Sequence, residues 1–321
     1  MGTGNRHADT VSVSRWEIEP STAFAQRHPD QVTAAAREFY TVHVDPFIVS
    51  LWILAAACAA TWVLSLITRE YSWVDRIWSI VPVVYVWVFA GAAGLADARL
   101  DLMAVLVTLW GARLTFNFAR KGGYAPGGED YRWVVLRGRM SPSAFQLFNL
   151  LFIVVYQNIL LLLIALPAWT AYQHRTPLNA LDVILAAVFL FLLTGETIAD
   201  QQQWNFHRWK KLEVAAGREP SPRFLQSGLF RFSRHPNFFF EQAQWWVLFL
   251  FGCVAAGSLL QWTVLGPLLL TALFIGSTVF TESISLSRYP EYAAYQARTS
   301  PVIPWFPGRG ADRPRVSPES R

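Results

Sequence analysis

Residues 178–203 read LNALDVILAAVFLFLLTGETIADQQQ. The first part is an almost unbroken apolar run, and a helix needs about 20 such residues to cross a hydrocarbon layer roughly 30 Å thick. At its far end the character changes. Glu196, Asp200, Gln203 and His207 recur at i, i+4, i+7 and i+11, which places them on one helical face. A membrane-crossing helix that carries a polar stripe at one end is therefore the reading from which the rest follows.

Six further runs qualify or nearly qualify as spans: 46–67, 75–94, 101–119, 146–169, 241–257 and 261–281. Together they predict an all-α integral membrane bundle of about seven transmembrane helices. Composition agrees. Of 321 residues, 53% are hydrophobic and only 15% charged, and 15 are tryptophan, a balance foreign to soluble domains. The net charge of +5 comes from basic residues placed between apolar runs, where membrane proteins carry them, so nucleic acid is not an expected partner. Cys58 and Cys253 lie within apolar runs and offer neither a disulfide framework nor a thiolate metal site.

Basic residues also set the expected orientation. Arg120, Lys121, Arg132, Arg137 and Arg139 follow the third span, and Arg208, Lys210, Lys211, Arg218, Arg223, Arg231 and Arg234 follow the fifth. Positively charged short loops stay in the cytoplasm, so the expectation is an outer N-terminus and a cytoplasmic C-terminus. The outer loops are left with Arg99 and Arg175. Residues 1–44 read as an extramembrane arm without signal-peptide features, 45–306 as the membrane domain, and 307–321 as a disordered cytoplasmic tail. The expected location is a multi-pass membrane protein of the inner or plasma membrane in a bacterium, or of the endoplasmic reticulum in a eukaryote.

Ionisable groups inside a span cost about 2.5–3.5 kcal/mol each and call for a partner or a task. They gather on stripes here. Arg113, Asn117 and Arg120 share a face of the third span, and Asn237, Glu241 and Gln244 share one at the start of the sixth. With Glu196, Asp200 and Gln203 on the fifth, and with Asp75, Arg76, Gln146, Asn149 and Glu282, they lie at the expected inner ends. A lining of mixed acids and arginines suits a ligand with phosphates and hydroxyls, such as a nucleotide cofactor. No Gly-x-Gly-x-x-Gly follows a strand and no P-loop sequence occurs. His207 and His235 form no metal-spaced pair, so no metal is expected, and a nucleophilic serine elbow is lacking too.

Several ordered motifs carry a family likeness. Ser227–Glu241, SGLFRFSRHPNFFFE, resembles the GLFxxSRHPNYxxE segment of steroid 5-alpha-reductase-like membrane proteins. WGARLTFN at 110–117, GEDYRW at 128–133, ADQQQ at 199–203 and YAAYQARTSPVIPW at 292–305 resemble the bacterial and plant branch of that superfamily. The resemblance covers about residues 45–306. It implies an NADPH-dependent reductase of an activated carbon–carbon double bond in a lipid or steroid-like enone. By motif position it assigns cofactor contacts to Asp200, Asn237 and Glu241, to Arg113, Asn117 and Arg120, and to the loop residues Glu129, Asp130 and Arg132. Glu196, Gln203, Arg234 and His235 join the same expected cofactor set. The Gln-Glu pair that holds the ketone in mammalian steroid reductases has no counterpart before the third span. Asp75, Tyr85 or Tyr156 is expected to polarise the substrate carbonyl instead, with Glu70 a further candidate. The Arg-His-Pro segment also resembles isoprenylcysteine and phospholipid methyltransferases, which leaves S-adenosylmethionine open as the ligand; a non-enzymatic membrane protein is the remaining alternative.

Overall fold

The computed structural model describes residues 44–308, so most of the expected N-terminal arm and C-terminal tail lie outside it. Among the described residues the chain is all helical. Six helices are long and apolar enough to cross a membrane: α1 (Pro46–Thr68), α4 (Ala98–Arg120), α6 (Pro142–Ala165), α8 (Ala180–Ala215), α9 (Pro236–Ala256) and α10 (Trp262–Arg288). Short helices join them. These are α2 (Trp73–Ile77), α3 (Val81–Ala92), α5 (Tyr131–Arg139), α7 (Pro167–Gln173) and α11 (Tyr292–Arg298).

The second expected span, 75–94, is divided. The helix of α2 breaks in a turn at residues 78–80 and resumes as the 12-residue α3, with Pro82 in its first turn. Proline at that place lacks only an N–H that a first turn does not use. α3 is apolar and sunk in the bundle, with Tyr85, Val86, Phe89 and Ala90 fully buried. It lies antiparallel to α4. Ser79 hydrogen-bonds Thr115 and Trp87 donates to Thr108, so the partner number falls as the residue number rises. Gly111 makes this approach possible, because a Cβ there would stand 2.5 Å from the Ser79 carbonyl oxygen and 2.6 Å from a Val83 methyl. Gly111→Ala is expected to cost about 1–3 kcal/mol by overpacking. Gly91→Ala, on a face with nothing within 4 Å, is expected to be neutral or stabilising by up to about 1 kcal/mol. Thermal unfolding of the two variants in detergent checks the contrast.

α4 and α8 run parallel. Arg99 meets Asp182, Arg113 meets Glu196 and Asn117 meets Asp200, each at the same offset of 83 residues. From Arg99 to Asn117 the contact line is about 27 Å long at 1.5 Å per residue, close to the hydrocarbon thickness. Both helices begin with side-chain caps at one end of that line. Asp97 accepts from the Arg99 and Leu100 amides, and Asn179 and Asp182 form a capping box. Arg99, expected in an outer loop, is instead buried. Its guanidinium holds both Asp182 oxygens, at 2.7 and 2.8 Å, together with the Thr176 and Pro177 carbonyls.

α8 is 36 residues long, about 54 Å, and so outruns a bilayer. Hydropathy ended this helix near residue 198. The Gln-, Lys- and Glu-containing continuation has good helix formers and prolongs it into water. α9 packs on α8 with Phe240 over Gly195 and Gln244 bonded to Glu196, and it runs antiparallel to α4, and so to α8, since Trp245 meets Trp110 and Glu241 lies by Arg113. α6 lies antiparallel to α1 through Ser65–Asn149 and Thr61–Asn158, and α10 antiparallel to α6 through Tyr156–Leu269 and Thr170–Thr263 at the α7 end.

Candidate functional site

The stripes of α4, α8 and α9 meet. Arg113 extends its guanidinium between two carboxylates, donating to Glu196 at 2.6 Å and to Asp200 at 2.5 Å. Asn117, one turn further on, donates to the same Asp200 oxygen at 2.7 Å. Gln244 of α9 donates to the second Glu196 oxygen at 2.7 Å. Glu241, one turn before Gln244, is buried beside them, and the Trp78 side chain lies against it. Four segments thus enclose one charged centre, as the i, i+4 spacings require once each helix turns its stripe inward.

Its hydrogen bonding is incomplete. Arg113 Nε, Glu241 Oε1 and Gln244 Oε1 are buried without a hydrogen-bond partner among the described residues, as are the indole nitrogens of Trp110 and Trp245, whose rings meet edge to face at 4.7 Å. Buried polar atoms are rarely left so, and each such group calls for an explanation. Asn237, half-buried at the start of α9, makes no side-chain hydrogen bond among the described residues.

Cations rim the centre. Arg120 is held by Asn117 and Gln201, at 2.7–2.9 Å, and lies over the rings of Phe116 and Trp204. Its described partners are all neutral, so its charge is not cancelled by a carboxylate. Lys121 sits 3.8 Å from Asp200 and within 3.5 Å of Gln203. Burial pushes its ammonium below the ordinary lysine range, and Asp200 opposes that shift. Lys121 and Gln201 escaped the stripe reading because Lys121 caps α4 and Gln201 points off the Asp200 face; proximity to Arg120 was the only signal for either.

The other expected residues fall into two neighbouring networks. In the loop after α4, Glu129 accepts from the Tyr71 amide at 2.9 Å and from Arg137. Asp130 caps α5 and pairs with Arg132 at 2.8 Å, while Arg132 also donates to Ser277 of α10. Asp75 accepts from the Trp133 indole at 2.9 Å. Glu70 is bound by Arg76 at 2.5 Å, and that hydrogen bond holds its carboxyl below the usual carboxylate range, an ionised state with no proton to give. In the second network Arg234 grips Glu282 at 2.6 Å and also donates to the carbonyls of Gln296 and Thr299; His235 reaches the same carboxylate at 3.1 Å, and Gln296 at 2.7 Å. These bonds, with the Ser233–Ser300 bridge and the Trp305 amide on Phe232, clasp the C-terminal segment onto the start of α9.

Of the residues expected to polarise a carbonyl, Tyr156 donates to the Leu269 carbonyl at 3.2 Å. Tyr85 is fully buried and its hydroxyl has no hydrogen-bond partner among the described residues.

The chain is 38% identical over 287 residues to an uncharacterized protein of Schizosaccharomyces pombe, an alignment that covers 84% of this chain and 83% of that one. No solved structure matches. The family description "Protein of unknown function (DUF1295)" fits residues 61–299, from within α1 to the end of α11, and so takes in the whole charged centre. On that match the chain belongs to the DUF1295 family.

Proposed function

We propose that this membrane protein is an NADPH-dependent reductase of an activated carbon–carbon double bond in a lipid or steroid-like enone. The observation that carries the reading is the convergence of Arg113, Asn117, Arg120, Glu196, Asp200 and Glu241 from three spanning helices, with unpartnered donors and acceptors among them. The motif likeness to steroid 5-alpha-reductase-like proteins supplies the reaction class.

The donor set fits such a cofactor. Arg120 and Lys121 offer positive charge for phosphate at the rim, and Glu241, Asn237 and Gln244 offer acceptors and donors for ribose hydroxyls and an amide. Asp200 and Glu196 keep Arg113 and Asn117 in place beneath them. When bound, NADPH supplies a hydride to the beta carbon of the enone. Tyr85 is the side chain best able to give its proton to the substrate oxygen, since that of Tyr156 is engaged by a carbonyl. Neutralising charge on a developing enolate generally contributes orders of magnitude in rate.

This reading includes seven crossings, with the N-terminus outside and the C-terminus cytoplasmic. Packing directions support an odd number of crossings, and the side assigned to each terminus rests on the basic loops alone. α4 is parallel to α8; α9 opposes α4 and therefore α8; α6 opposes both α1 and α10. Phe238 stacks on Phe274 and Trp246 donates to Thr271, so α10 opposes α9. α1 and α4 then share a direction, which requires the chain to return between them through α2 and α3.

The test is thermal unfolding of the purified protein with each nucleotide. NADPH at about 100 times its dissociation constant is expected to stabilise by about 2.7 kcal/mol, and S-adenosylmethionine not at all. Asn237→Ala is expected to remove the NADPH response while leaving the unliganded midpoint within about 0.5 kcal/mol, because the side chain has no partner to lose. Stabilisation by S-adenosylmethionine alone would reject the reductase in favour of a methyltransferase.

A further inference from the structure

The last described stretch, residues 301–308, reads PVIPWFPG. Its backbone is tied to the segment that leads into α9. The Arg234 amide donates to the Ser300 carbonyl at 2.8 Å, the His235 amide to the Pro301 carbonyl at 3.0 Å and the Trp305 amide to the Phe232 carbonyl at 2.9 Å, while the Ser233 hydroxyl donates to the Val302 carbonyl at 2.6 Å. Those polar groups are used up inside the protein. The apolar side chains do the reverse: Ile303 is 66% exposed, Trp305 71% and Phe306 79%. Phe232, Pro304, Trp305 and Phe306 line one shallow recess of about 240 Å³, and the rings of Phe232 and Phe306 meet edge to face at 6.2 Å. An open apolar patch of this kind marks an interaction surface.

Its level in the bilayer follows from its anchors. α9 has 21 residues, about 32 Å of helix, so its first residue, Pro236, stands at the edge of a hydrocarbon layer roughly 30 Å thick. α10 gives the same level. Val279 is exposed on that spanning helix, and Glu282, about 4.5 Å further along the axis, is the carboxylate that Arg234 grips. Residues 232–235 therefore begin where lipid-facing side chains end, and the patch bonded to them lies at the headgroup layer.

We propose that Ile303, Trp305 and Phe306 seat in the adjoining bilayer interface, with phospholipid as their partner, and so pin the C-terminal segment against the start of α9. Aromatic rings settle at headgroup level in membrane proteins, tryptophan above all. The backbone suits that layer too. Pro301, Pro304 and Pro307 have no N–H and the Trp305 amide is already bonded, so the segment gives up few hydrogen bonds on leaving water. Charge agrees with an acidic lipid surface: Arg231, next to Phe232, is exposed with no ion pair among the described residues, and Arg309, Arg313 and Arg315 follow in the sequence.

The patch is separate from the charged centre, and its test does not need the reductase reading. The unaltered full-length protein is reconstituted in vesicles of phosphatidylcholine and phosphatidylglycerol that include a phosphatidylcholine with a diazirine near the glycerol end of one acyl chain. After illumination, lipid adducts are mapped by mass spectrometry. They are expected on residues 303–306, and their absence there, with adducts present on the spanning helices, overturns the proposal. Depth is read from nitroxides attached in Trp305→Cys, Phe306→Cys and, as a water reference on the extension of α8, Val214→Cys, each in a Cys58→Ala/Cys253→Ala background. The labels at 305 and 306 are expected to meet a water-soluble nickel chelate several-fold less often than the label at 214, and to meet oxygen, which concentrates in lipid, more often. Water-like collision at both positions overturns the proposal, and so does shielding from both colliders, which is the mark of a protein partner. The adduct map needs no substitution, so it decides the matter even where a labelled variant does not fold.

Discussion

Arg113→Ala is expected to destabilise the protein by about 3–5 kcal/mol, because it strands two buried carboxylates that now share one guanidinium. Glu196 and Asp200 side chains are 2% and 5% exposed, so water cannot replace the lost partner. Thermal unfolding in detergent measures the loss. The origin of the cost is separable. Arg113→Met with Glu196→Gln and Asp200→Asn removes the charges together, and most of the stability is expected to return, since a buried ion pair gains little over a neutral replacement of similar volume. The same triple variant is expected to lack the NADPH response entirely. Full loss of stability in the triple variant would show that the cost lies in packing and not in stranded charge.

The second large effect lies at the other end of the same two helices. Arg99→Leu or Asp182→Leu alone is expected to cost about 3–5 kcal/mol, for Arg99 is 1% and Asp182 0% exposed. Arg99→Met/Asp182→Leu is expected to recover a large part of that, less the carbonyl contacts of Thr176 and Pro177 and the capping box at Asn179. Here the nucleotide response should persist in every variant that folds. An NADPH response lost in the Arg99 and Asp182 variants, at temperatures where they remain folded, would contradict a purely architectural role for this pair. A double-mutant cycle gives the coupling directly.

These two ion pairs mark the limits of what the sequence reveals. Arg113, Asn117, Glu196, Asp200, Glu241 and Gln244 were legible because a spanning helix gives polar residues no cheap place except a shared interior, and i, i+4 repetition shows which face that is. Arg99 was not legible. A lone arginine beside Asp97 and Asp101 at the mouth of a helix reads as a loop charge, and nothing local announces a partner at Asp182. The length of α8 was missed for a different reason. Hydropathy reports where lipid ends, not where hydrogen bonding ends, and Gln201–Lys211 are content to continue a helix in water. The division at Trp78–Ile80 and the π-helical turns of α6 at Asn149–Tyr156 depend on tertiary packing against α4 and α1, and an apolar run carries no periodic trace of either. Arg234 and His235 were recognisable as a motif, and the structure adds their bonds to Glu282 and the C-terminal segment.

The constant offset between α4 and α8 restricts how the molecule can move. Two rods fastened near both tips, about 27 Å apart, cannot slide past one another: an axial slip of a single residue, about 1.5 Å, would pull both fastenings out of register at once. Shear along this pair is thereby closed off, leaving rocking as a rigid plate. α9 is held to this plate at its middle, where Gln244 bonds Glu196 and Trp245 meets Trp110, so the three helices form one braced layer.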